Sequence, residues 1–155
     1  MTMPKIDLDQ VKTHSGSSYP APYAAEMGER THQNIGDAAG LTQFGVNRMT
    51  LQPGAKSSLR HWHVEEDEFV VVLSGELVLV EQTGDTPLKP GDCAAFKAGV
   101  ENGHHLINRS DAPATFIAVG TRAWNDTCFY TDVDLMCRTA GGQSRFALRN
   151  GRPAE

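Results

Sequence analysis

The residues of this chain best suited to chemistry lie in the stretch RHWHVEEDEFVVVLSGE, where His61 and His63 are followed by the carboxylate of Glu68. On a strand, side chains alternate between faces, so the two imidazoles share one face and Trp62 takes the other. Two neutral ring nitrogens on one face can hold Zn, Fe, Ni, Mn or Cu if that face lines a cavity. Val64 to Asp67 are enough to turn the chain and bring Glu68, at the start of the next strand, beside the histidine pair. Glu65, Glu66 and Asp67 then belong to the turn and meet solvent. Asp67 replaces Glu68 if the register slips by one residue.

A third imidazole has to come from AGVENGHHLIN, where His104 and His105 occupy adjacent strand positions and point to opposite faces, so only one can join the others. The bland alternative for His61 and His63 is a pair of packed, hydrogen-bonded strand histidines. His14 and His32 have no partners nearby in sequence and receive no role.

The elements that must position these groups are short. From Leu41 onward, runs rich in Val, Leu, Phe and Thr are separated by PG, SG, TGD, PGD and AG at intervals of roughly ten residues, the rhythm of a sandwich or barrel. Strands are expected near 42–51, 58–63, 68–74, 76–82, 93–96, 103–108 and 114–121, with no helix of convincing length. Residues 1–40 carry Pro4, Pro20 and Pro22 among polar runs without periodicity and read as an arm. The barrel is assigned to 41–121. Residues 122–155 form a C-terminal extension, with a hairpin from Val133–Arg138 and Ser144–Arg149 around Gly141 and Gly142.

With 155 residues the chain fits one domain. Its hydrophobic content of 39% suits a packed core, and 14 basic against 19 acidic residues leave no footprint for nucleic acid or an anionic membrane. The longest apolar run, Phe69 to Leu73, is far short of the ~18–20 residues that span a bilayer. A cytoplasmic protein is the expectation. Cys93, Cys128 and Cys137 lack paired spacing and read as buried thiols. Arg48, Arg60, Arg109 and Arg122 are the cations nearest the barrel for an acidic substrate, although each also reads as a surface charge. Asn47 shares a face with Met49 and Leu51 and either meets a ligand or ends a strand.

Two ordered motifs carry a family resemblance. Gly54, His61, His63, Glu68 and Gly75 resemble the first cupin motif, G-x5-H-x-H-x3/4-E-x6-G, with one extra residue after Gly54. Gly91, Gly99, His104 and Asn108 resemble the second, G-x5-P-x-G-x2-H-x3-N, with Lys97 in place of proline and two extra residues before His104. The HxxxN ending selects His104 over His105. The resemblance implies an all-β double-stranded β-helix, or jelly roll, with one divalent transition metal ion (Fe, Mn, Zn, Ni or Co) held by His61, His63, Glu68 and His104. It also implies a homodimer, with the arm adding a strand to a neighbour. The function expected is a metal-dependent isomerase, lyase or dioxygenase acting on a small oxygenated metabolite, with Glu68 as a labile ligand or base. The alternative is a non-catalytic cupin that binds or senses a small molecule or metal.

Overall fold

A computed structural model describes residues 4–154; residues 1–3 of the expected arm and 155 of the expected extension lie outside it. The described residues form thirteen strands: β1 (Thr13–Ser15), β2 (Arg30–Asn34), β3 (Phe44–Leu51), β4 (His61–His63), β5 (Glu68–Ser74), β6 (Leu77–Glu81), β7 (Gly84–Leu88), β8 (Cys93–Phe96), β9 (His105–Ile107), β10 (Ala114–Thr121), β11 (Asp126–Tyr130), β12 (Met136–Ala140) and β13 (Gln143–Ala147). The helical elements are 3-10 turns at Leu8–Gln10 and Tyr23–Met27 and a one-turn helix, Ile35–Ala38. Among the described residues no helix is long and apolar enough to cross a membrane.

All pairings are antiparallel. One sheet runs β1-β2-β3-β10-β5-β8. Facing it are a three-stranded sheet, β7-β6-β9, and a four-stranded sheet, β13-β12-β11-β4, which bridges between His61 and His104 link into one wall. This is the jelly roll, and its seam passes through the candidate site.

Alternation builds the core. Val70 and Val72 of β5, Leu77 and Leu79 of β6, and Ala114 and Phe116 of β10 point inward and are buried together with Leu51 and Leu106. Phe116 is 2% exposed, so truncating it to alanine is expected to cost about 3–5 kcal/mol. Gly75 closes the turn between β5 and β6 at φ +73°, where a Cβ would lie 2.6 Å from the Pro113 carbonyl oxygen. The first motif's closing glycine is therefore required on two counts.

The expected strands 68–74, 93–96 and 114–121 coincide with β5, β8 and β10, and the C-terminal hairpin is present as β12 and β13. Three expectations are corrected. Residues 13–15 and 30–34 are strands, and β2 pairs along β3 of the same chain. Their polar sequence hid this, because two of the polar side chains of β2 are satisfied internally: Arg30 donates to the carbonyls of Gly16 and Ser57, and Gln33 to those of Leu8 and Val11. β7 and β11 form where no strand was expected. Cys93 is exposed because it lies on β8, an edge strand, whereas Cys128 is buried and Cys137 partly so.

Candidate metal centre

β4 presents His61 and His63 on its inner face, while Trp62 on the other face packs on Phe129 at a ring-centroid distance of 5.0 Å. The turn after β4 is pinned by backbone contacts. The Asp67 carboxylate accepts from the Ala98 amide at 2.8 Å and the Asp67 amide donates to Thr121 Oγ1 at 3.2 Å, so Asp67 is committed to the turn. Glu68, the first residue of β5, then faces the imidazoles.

His104 approaches from the opposite strand edge. Its ring stacks on Phe96 at 3.5 Å and 2°, leaving the residue 5% exposed. Before it, Gly103 passes so close to Thr131 that a Cβ would meet Oγ1 at 2.0 Å, so only glycine lets the strand reach this depth. His105 turns away, donating Nδ1 to the Ser58 carbonyl at 2.9 Å, and burial pushes its pKa down to about 4. Asn108 is fully buried and structural. Its amide donates to the Leu51 and Ala112 carbonyls while its oxygen accepts from Ser110.

Of the four residues named by the sequence, His61 and His104 form a tight triplet with Glu68, while His63 stands farther off and falls into separate triplets with His61 and Cys128 and with Glu66 and Asp126. The Glu68 oxygens lie 2.8 Å from His104 Nε2, 3.4 Å from His61 Nε2 and 3.8 Å from His63 Nε2. Ligand atoms of His61, Glu68 and His104 all fall within 4.8 Å of one another.

The other nitrogen of each ring is occupied. His61 Nδ1 contacts the Leu59 carbonyl at 2.9 Å, His104 Nδ1 the Asn102 carbonyl at 3.1 Å, and His63 Nδ1 the Asp126 carboxylate at 2.6 Å. Carbonyl and carboxylate oxygens only accept, so each Nδ1 carries hydrogen and each neutral ring turns its Nε2 lone pair toward Glu68. Three lone pairs converging on an anion repel unless positive charge lies among them. A proton relieves one contact, whereas a divalent cation relieves all, and an outer carbonyl or carboxylate on the far ring nitrogen is the usual support of a metal-binding histidine.

The electrostatics follow. Burial pulls the Glu68 carboxyl up, but wherever an Nε2 carries a proton and donates to it the contacts with His104 and His61 prevail and hold it well below the usual carboxylate range, the same effect that positive charge among the rings exerts. Burial lowers the His61 pKa, and the same Glu68 contact outweighs that and raises it.

Sequence reasoning missed the wall that β11 supplies. Asp126, Cys128 and Tyr130 alternate inward and are all buried. Cys128 pairs with His63 and Tyr130 with His61 across β4. Glu66, expected in solvent, is instead partly buried, with its carboxylate 3.7 Å from His63 Nδ1 and accepting from the Ala123 amide at 3.0 Å. Burial raises its pKa. The signal for β11 was the alternation of DTCFY, five residues without flanking glycine or proline. A cavity of about 540 Å³ opens on this side, lined by His61, His63, Glu66, Arg122, Trp124 and Asp126.

The family described as Cupin domain matches residues 47–120. A crystal structure described as a sugar phosphate isomerase from a cupin superfamily, from Silicibacter pomeroyi, is 51% identical, with a TM-score of 0.93 over 98% of this chain and 97% of that one. A protein of Acidithiobacillus ferrooxidans, provisionally named a sugar phosphate isomerase, is 25% identical, with a TM-score of 0.73 over 82% and 81%. An oxalate decarboxylase predicted for Thermotoga maritima shares the fold at 22% identity, with a TM-score of 0.60 over 76% and 97%. No curated protein matches the sequence.

Proposed function

The chain belongs to the cupin superfamily, and from that premise we propose that it is a metal-dependent isomerase of a small phosphorylated sugar. The observation that carries the metal is the common orientation of the three rings: every Nδ1 is engaged, and every Nε2 faces Glu68. His61, His63, Glu68 and His104 would hold one divalent transition metal ion, which polarises a carbonyl or hydroxyl oxygen when bound.

Sugar phosphates are the substrate class that the names of two relatives suggest. Arg122 lines the cavity mouth, with its guanidinium on Asp37 and the Leu41 carbonyl, and is the cation placed to meet a phosphate. Arg60, Arg109 and Arg48, which contact Asp132, Asp85 and Gln33, do not line this cavity. Trp124 stands 72% exposed at the same mouth and offers an apolar face to a sugar ring.

Moving a proton between adjacent carbons needs a base near the operating pH. Glu68 is the base expected from the sequence, but its imidazole contacts make it a weak one. Glu66 lines the cavity, its pKa is raised by burial, and it is free of the Nε2 cluster, so the proton transfer is assigned to Glu66. A homodimer is also proposed. Phe69 and Leu73 on the outer face of β5, with Phe44 on β3, form an exposed apolar surface suited to a second copy.

The test is incubation of Mn²⁺-loaded protein with aldose and ketose phosphates in D₂O, followed by NMR. The proposal expects interconversion with deuterium entering the carbon next to the carbonyl. Ligand binding without interconversion would instead identify a non-catalytic binding cupin.

A further inference from the structure

Two donor sets share His61 and His63. On one side stand Glu68 and His104. On the other, Cys128 of β11 lies directly across from His63, and side chains of directly paired residues point to the same face. The Cys128 sulfur and one ring nitrogen each of His61 and His63 lie within 4.8 Å of one another. A tetrahedral ion with Zn–S near 2.3 Å and Zn–N of about 2.0–2.1 Å sets its donors roughly 3.5 Å apart, so the triplet needs a contraction of little more than about 1 Å.

We propose that Cys128 is a conditional thiolate ligand: a thiophilic divalent ion held by His61 and His63 draws the Cys128 sulfur into its coordination from the β11 side. The inference rests on the metal-centre reading above. Hard ions favour carboxylate and soft or borderline ions favour thiolate, so Mn²⁺ stays with Glu68 and His104 while Zn²⁺ and Cd²⁺ recruit the sulfur. Binding breaks the S–H bond, gives the sulfur lone pair to the ion and releases the proton to solvent, without any change of oxidation state. Cys128 also lines the cavity assigned to substrate, so a sulfur-bound ion turns that position away from substrate. The centre would then bind thiophilic ions tightly while being blocked by them.

The experiment uses the full chain stripped by chelator and titrated with Cd²⁺ and, separately, Co²⁺. Wild type, Cys93→Ser and Cys137→Ser are expected to develop the ultraviolet sulfur-to-cadmium band, and Cys128→Ser to lack it. Cobalt d–d bands in Cys128→Ser would show that its imidazole set is still folded. ¹¹³Cd NMR of the wild type reads sulfur ligation as a downfield shift and needs no variant. A missing cadmium band in wild type, or one that survives in Cys128→Ser, overturns the inference. Absence of cobalt d–d bands in wild type is a different failure, because it overturns the metal centre itself.

Discussion

Asp126 provides a sharp test of how the centre is built. Its carboxylate lies 2.6 Å from His63 Nδ1, its side chain is 4% exposed, and its other oxygen accepts from the Glu65 amide at 2.9 Å. Asp126→Asn preserves shape and can keep the Glu65 contact through the amide oxygen. It then faces His63 with an NH₂ group, which favours the tautomer that carries hydrogen on Nε2 and removes the lone pair meant for the ion. Loss of such an outer partner typically costs 10–100-fold in metal affinity, or about 1.4–2.7 kcal/mol at ~1.36 kcal/mol per decade. The short contact and the burial place the expected loss toward the upper end. Chelator competition with Mn²⁺ or Co²⁺ measures it, thermal melting of the metal-free protein controls for folding, and ¹⁵N shifts of His63 report the tautomer. Unchanged affinity in a folded variant would refute the idea that Asp126 sets the His63 ring.

Glu66→Gln should lower kcat by ~10²–10⁴-fold while leaving metal content and KM near wild type, measured by steady-state isomerisation; an equal loss in metal content would move Glu66 into the ligand set. His105 is held neutral down to pH about 4, whereas an unfolded histidine titrates near ~6.5. The unfolded chain therefore binds the extra proton between those values, and stability falls as pH drops from 7 to 5 by about 1–2 kcal/mol. His105→Asn should reduce that slope in urea titrations, and an identical slope would contradict it. Replacing both Phe69 and Leu73 with Asp should convert a dimer to a monomer in sizing chromatography with light scattering, and a monomeric wild type would rule out the apolar face as an interface.

Local patterns were readable where periodicity and turn chemistry act within a few residues. HxH on a strand fixes a shared face, and a four-residue turn fixes where Glu68 starts β5. The choice of His104 over His105 came from the resemblance, and the reason becomes visible only in space: Phe96 stacks on one ring and the Ser58 carbonyl takes the other. β7 contains Pro87, which a central strand rejects, yet β7 is the edge of its sheet and tolerates it. β2 lacks an apolar stripe, and carbonyl groups take up the polar side chains of Arg30 and Gln33. Asp126 and Cys128 reach the centre through pairing of β11 with β4, across more than sixty residues of chain. Nothing local announces such pairing.

The central claim is that three imidazoles and Glu68 hold one transition metal ion. Elemental analysis of protein purified anaerobically without added metal, beside His61→Ala and His104→Ala, tests it most directly. The account predicts near-stoichiometric transition metal in the wild type and its loss from both folded variants. A wild type that neither carries nor takes up such an ion, or variants that retain it undiminished, would contradict the account.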